Sequence, residues 1–217
     1  MASAQKKAPT KGGPSKRATP SKRAIAREAE PLRLDLACGP HKQEGFHGVD
    51  RSAVPGVDTV MNLLRFPWPW AHSSVDEARC SHFIEHIPMI EVDSRGVQVP
   101  FGEGLDLLIA FFNELHRVMK PGAQATIISP YYASMAAWQD PTHRRAISEA
   151  TYFYLNEEWR IANGLEHYGI TANFQLAYAF AIEQNWNLRP REEQEFAMRS
   201  YNNVAMEIHA TLTCVKD

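Results

Sequence analysis

At 217 residues, with 44% apolar and 22% charged residues and a formal net charge of −2, the chain has the composition of a water-soluble domain with room for one good-sized core. Its longest apolar stretches fall short of the ~18–20 residues that cross a bilayer, which excludes a membrane-spanning protein of the helical type. Cys38, Cys80 and Cys214 are widely spaced, with no CxxC pair and no apolar leader; this argues against a disulfide frame or zinc ribbon and for a reducing, cytoplasmic compartment.

The near-neutral total hides an asymmetry. Lys6, Lys7, Lys11, Lys16, Arg17, Lys22, Arg23 and Arg27 stand in a head that contains no acid, so the rest of the chain is acidic. That head also carries Pro9, Pro14 and Pro20 and has no apolar periodicity. It cannot bury enough surface to offset the entropy of ordering, so 1–24 reads as a disordered basic tail and 25–217 as one domain. The tail is open to a nucleic acid or an acidic partner, whereas the acidic remainder offers no large phosphate-binding face.

In chain order, 24–30 forms a short helix stopped by Pro31, and 32–37 reads as a buried strand. Strands are expected again at 46–50, 57–61 and 74–81, followed by a helix over 83–87 cut short by Pro88. The clearest helix is 103–119, where Leu105, Leu108, Ile109, Phe112, Leu115 and Met119 make one apolar stripe. Lys120-Pro121-Gly122 stops it, because proline cannot donate to the helix and glycine permits the reversal. Beyond lie a strand over 125–129, a helix over 149–163, an extended run over 171–183, a helix over 191–199 and a closing strand over 203–215. Strand-turn units first, a helix between strands later and a ribbon at the carboxyl end predict an α/β three-layer sandwich: a mostly parallel, Rossmann-like sheet with an antiparallel C-terminal strand pair. The link 38–45 is shorter than the dozen or so residues of a normal parallel crossover. It has room for one helical turn at most, and the 24–30 helix is the candidate to cover the sheet face that this exposes.

"LDLACGP" followed by "GFHGVD" resembles the first and second motifs of class I S-adenosylmethionine-dependent methyltransferases, close to "LNLGCG…GWxNVD", in a type 11-like variant with a shortened first helix. "FPWPWAHSSVDEARCSHFIEHIP" is similar to that family's "LPFPDNSVDxIxxSHxLEHI", and "ELHRVMKPGAQATIISP" to its "ExxRVLKPGGxLxIxxP". The resemblance covers roughly 32–130. It implies an enzyme that takes S-adenosylmethionine as cofactor and passes a methyl group to an acceptor that the motifs leave unidentified, a small molecule, sugar or nucleic acid. A non-catalytic methyltransferase-like binding module is the alternative; an NAD-dependent or nucleotide-sugar enzyme is disfavoured because Gly39 lacks its companion glycines.

Physical reading of the residues agrees with that implication. A ligand in an open α/β sheet binds at the carboxyl edge, and Gly39 there lets backbone approach it without a Cβ in the way. Asp50, ending the second strand, is placed to accept from two vicinal ribose hydroxyls, with Arg51 beside it. The resemblance implies that Asp35 lies near the methionine ammonium, Asn62 and the Leu63 backbone at the adenine edge, and Ser81 and His82 beside the methionine and acceptor. Ala37 and Pro40 flank Cys38-Gly39 where the family has glycines. Alanine at 37 costs little where φ is negative.

Methyl transfer is an in-line displacement, so the chain must chiefly position two partners and exclude water; oxygen acceptors also need a base or a metal. In "SPYYASMAAWQDPTHRRAISEATYFY", Asp140, His143 and Arg144 are the candidates for base and anion contact, with His82 as a further base, while Tyr131, Tyr132 and Trp138 are expected to wall the pocket. Asp140-Pro141-Thr142 also reads as a turn and helix entry. Glu85 and His86 suggest a metal pair, but adjacent helical residues point about 100° apart and no further ligand completes a recognisable spacing, so no metal site is expected.

Overall fold

The computed structural model describes residues 1–3 and 30–216. The basic tail and all but the last residue of the expected 24–30 helix lie outside them. Strands β1 (Arg33–Leu36), β2 (His47–Asp50) and β3 (Thr59–Val60) come first, then β4 (Val75–Ser81). All four are parallel, in the order β3-β2-β1-β4. A single 3-10 turn, Ile84–His86, replaces the expected 83–87 helix. The next segment makes a small ribbon that sequence periodicity missed, with β5 (Glu91–Val92) antiparallel to β6 (Leu105–Asp106).

The long helix α1 (Leu107–Val118) starts four residues later than its stripe predicts. The Asp106 carboxylate accepts from Leu108 N–H at 2.9 Å and caps the first turn, so Glu103–Leu105 stay outside. The buried stripe of α1 is Leu107, Leu108, Phe111, Phe112, Leu115 and Val118. The helix passes straight into β7 (Met119–Pro130), whose pairing with β4 slips across the Lys120-Pro121-Gly122 corner and then runs from Gln124 to Ile128.

Next come α2 (Ala136–Gln139), α3 (Glu149–Phe153) and α4 (Glu157–Ala162). The continuous helix expected over 149–163 is broken because Asn156 turns its side chain onto Trp159 N–H at 2.8 Å and caps a new helix. Strand β8 (Phe174–Ile182), helices α5 (Gln184–Asn187) and α6 (Arg191–Ser200), and strand β9 (Ala205–Cys214) complete the chain. Strand β9 inserts between β7 and β8 and runs antiparallel to both, giving the order β3-β2-β1-β4-β7-β9-β8. Residues Pro31–Asp217 group as one compact unit. Among the described residues, no helix is long and apolar enough to cross a membrane.

The short β1–β2 link contains turns and no helix, and three aspartates hold it down. Asp35 on β1 accepts from Gln43 N–H at 2.7 Å, Asp58 accepts from Lys42 Nζ at 2.8 Å, and Asp50 accepts from Gly39 N–H at 3.0 Å. Gly48 on β2 makes this approach sterically feasible: a Cβ there would stand 2.5 Å from Gly56 O and 2.7 Å from Lys42 Cδ. The link replaces a crossover helix by lying flat against β2.

Candidate functional site

Parallel strands β1, β2 and β4 all end at one edge of the sheet, and their terminal residues build the site. β1 leaves the sheet through Ala37, in the left-handed region at φ +57°, and Gly39 at φ +51°. The positive φ of Ala37 departs from the negative value under which alanine is inexpensive. An L-residue held there costs about 1–2 kcal/mol, so Ala37→Gly is expected to raise stability by about 0.5–1 kcal/mol once the added backbone freedom of glycine is counted. A urea midpoint unchanged or lowered in that variant would show that the turn carries no strain.

Asp50 stands beside this turn. Its Oδ2 accepts from Gly39 N–H at 3.0 Å and its Oδ1 from Ser52 N–H at 2.8 Å, so both carboxylate oxygens are oriented by backbone. Cys38 N–H donates to Val49 O at 3.2 Å, locking the turn to β2. Burial, with help from the neighbouring Asp35 and Asp50 carboxylates, pushes the Cys38 thiol pKa up, so Cys38 is a packing group and a poor nucleophile.

A cavity of about 590 Å³ opens here. Ala37, Asp50, Arg51, Asn62 and Leu63 line one part, and His82, Phe83, His86, Thr142 and Arg144 line another. The sheet edge therefore brings together residues expected at the ribose, the adenine and the acceptor. Asn62 Oδ1 accepts from Leu64 N–H at 2.9 Å, which fixes the side chain while its NH₂ and one lone pair of Oδ1 keep hydrogen-bonding capacity. Leu63 is pinned by its own carbonyl, which accepts from Trp68 Nε1–H at 3.0 Å.

Asp35 lies beneath the cavity, fully buried, with one oxygen on Gln43 N–H and the other 3.3 Å from Arg79 Nη1. Its carboxylate anchors the link and does not face the opening. Ser81 ends β4 in register with Ile128 but is not part of the lining. His82 follows at φ +52°, a strained conformation for a side chain with a Cβ, held by its N–H donating to Ile128 O at 2.9 Å. The half-exposed ring stands between two acids, with Nδ1 3.4 Å from Glu85 Oε1 and Nε2 3.2 Å from Glu207 Oε1. Glu85 first, aided by Glu207, raises the imidazolium pKa against an opposing desolvation. His82 therefore holds its proton more tightly than a free imidazole does.

The 131–144 segment departs from expectation. Tyr131, Tyr132 and Trp138 do not line the cavity: Tyr131 is buried with its hydroxyl on Glu149 Oε2 at 3.1 Å, and the Trp138 indole donates to Tyr132 O at 2.9 Å. Only Thr142 and Arg144 of the segment reach the opening. Asp140 forms the expected turn, accepting from Thr142 N–H and Oγ1 at 2.7 Å each. These bonds hold its carboxyl pKa below the usual range, so it is ionised and occupied. No helix enters there; Ser148, further on, closes a capping box with Thr151 at the start of α3. His143 Nδ1 donates to Ala137 O at 3.0 Å, and its ring meets that of His86 edge-on at 4.6 Å between centroids. Glu207 and Phe83 were missed in the sequence because nothing local marks them: one arrives from the last strand, the other as an ordinary apolar residue after β4.

No protein-family model matches the chain, and no curated protein matches it in sequence. Solved structures do match. A SAM-dependent methyltransferase from Archaeoglobus fulgidus shares 18% identity over 85% of this chain and 86% of its own, at a TM-score of 0.54. A SAM-dependent methyltransferase from Methanosarcina mazei shares 14% identity over 86% and 93%, at 0.50. A complex of the Haloferax volcanii Trm112 methyltransferase activator with a methyltransferase gives 14% identity over 86% and 83%, also at 0.50. The fold is that of the class I SAM-dependent methyltransferases: a seven-stranded sheet in which β9 alone runs against the rest.

Proposed function

We propose that this chain is an S-adenosylmethionine-dependent methyltransferase that binds the donor at the ends of β1, β2 and β4. The observation that carries the reading is the Asp50 carboxylate, turned onto Gly39 N–H at 3.0 Å while facing the cavity. An ionised carboxylate has about four lone-pair directions, so the two backbone donors leave capacity for the two hydroxyls of a ribose. Arg51 flanks that position, and Cys38, Gly39 and Pro40 supply the backbone turn against which the methionine half would lie. Asn62 and Leu63 face the adenine. His82, with Ser81 before it, stands toward the transferring methyl, and Arg144 offers an anion contact to the acceptor. Asp140 and His143 act by shaping that acceptor side. Asp35 supports the turn from below.

The lining of the same cavity supports one class of acceptor. Its second part holds imidazoles, a hydroxyl and a guanidinium, which suits a polar, oxygen-bearing molecule better than an apolar one. The basic tail remains a candidate contact for nucleic acid or an acidic partner. Calorimetry with S-adenosylmethionine, S-adenosylhomocysteine and NAD tests the donor assignment. Micromolar binding of the two sulfur ligands and none of NAD is expected; no binding of either sulfur ligand would overturn the reading.

A further inference from the structure

Glu85 is a buried acid whose nearest charge counterpart is the half-exposed His82 ring. The residue is 1% exposed, and neither carboxylate oxygen has a hydrogen-bond partner. His82 Nδ1 stands 3.4 Å from Oε1, an ion-pair distance without hydrogen-bond geometry, and Oε2 is likewise without a hydrogen-bond partner. A buried carboxylate left in this state costs several kcal/mol unless something positive is held against it. Two imidazoles are close by: one donor atom from each of Glu85, His86 and His143 lies within 4.8 Å of the other two. The turn carrying Glu85 is fastened to the segment carrying His143, since Arg144 N–H donates to Glu85 O at 2.7 Å.

Hydrogen bonds at the far side of each ring fix which nitrogen is bare. A backbone carbonyl can only accept, so His143 donates Nδ1–H to Ala137 O, and in the neutral ring the lone pair is on Nε2, which lies 3.9 Å from Asp140 Oδ2. Thr142 gives its single hydroxyl proton to Asp140 Oδ1 at 2.7 Å, so its oxygen accepts Nδ1–H from His86 at 2.9 Å. His86 too keeps a bare Nε2. Metal-bound histidines characteristically have this outer arrangement, with the second nitrogen donating to a carbonyl or to an oriented oxygen.

We propose that Glu85, His86 and His143 form a binding site for a divalent first-row transition cation at the rim of the cavity. Two imidazoles and one carboxylate suit zinc, iron(II) or cobalt(II) and leave coordination positions open. His86 and Thr142 line the cavity, so the open positions belong to the acceptor's side of it. Resting on the methyltransferase reading, the cation selects an acceptor with a hydroxyl. Coordination acidifies that hydroxyl, whose proton passes to water. The oxygen lone pair then forms the C–O bond as the S–C bond breaks, and the S–C bonding pair stays on sulfur, leaving a neutral thioether.

The test uses the untagged chain alone, stripped with a chelator and titrated with cobalt(II), then zinc(II), with no methyl donor present. Visible ligand-field absorption saturating at about one equivalent and displaced by zinc is expected. His86→Asn and Glu85→Gln should each weaken binding by at least ~10-fold. Absence of saturable absorption in the parent chain, or equal affinity in folded variants, overturns the proposal. Should Glu85→Gln fail to fold, the less buried His86 decides by itself. Because no donor is present, a failure here is separate from a failure of S-adenosylhomocysteine calorimetry.

Discussion

Asp50→Ala is expected to weaken S-adenosylhomocysteine binding by about 100-fold or more. Hydrogen bonds to a charged group contribute about 1.5–3 kcal/mol each, and two ribose hydroxyls would share this one carboxylate, so about 3 kcal/mol, or two powers of ten, is at stake. The substitution also removes the acceptor that orients Gly39 N–H and Ser52 N–H. Asp50→Asn separates the two contributions. It preserves size and one acceptor oxygen but loses the charge, so affinity should fall while the melting temperature stays close to that of the parent. Calorimetry of both variants checks this. Undiminished affinity in Asp50→Ala would remove the nucleoside from this sheet edge.

The second large effect concerns stability. Asp35→Ala is expected to cost about 2–4 kcal/mol, read as a fall in urea midpoint at constant slope. Its carboxylate is wholly buried and joins Gln43 N–H at 2.7 Å to Arg79 at 3.3 Å. Removing it strands an amide and an arginine. The Arg79 side chain is 27% exposed and recovers some hydration, which keeps the figure below that of a fully sealed pair. The same measurement separates two roles for Asp35. A direct ligand to the methionine ammonium would lower affinity with stability intact, whereas an anchor lowers stability first and affinity through the loosened turn. A variant as stable as its parent contradicts the anchoring role.

Much of the part of the cavity built on β1 and β2 was legible in the sequence because it is local. The β1 strand, its turn and Asp50 fall within one short stretch, and parallel pairing of β1 with β2 puts their ends side by side whatever the link does. The part lined by His82, Phe83, His86, Thr142 and Arg144 was not legible, because its geometry is made by contacts between distant segments. Thr142 and His86 are 56 residues apart and meet through a single hydrogen bond. The apolar period that marks α1 also ran past its true start, since stripe residues cannot announce that Asp106 will cap the helix. The break in the 149–163 helix has a similar origin: an asparagine that is tolerable in a helix becomes a cap when its side chain finds Trp159 N–H. The aromatic wall failed for a different reason. Tyrosine and tryptophan in a loop suggest a pocket, yet here the Tyr131 hydroxyl and the Trp138 indole are used up on neighbours of the loop itself.

Strand order has a consequence for biosynthesis. The last of the described strands in the chain, β9, is an interior strand of the sheet, and among the described residues β8 pairs with nothing else in it. A nascent chain stopped before Ala205 would thus expose the flank of β7 and leave β8 adrift, both open to pairing with other chains. Since β9 also delivers Glu207 to His82, the pairing of β9 into the sheet and the setting of the His82 ring beside the cavity are coupled events.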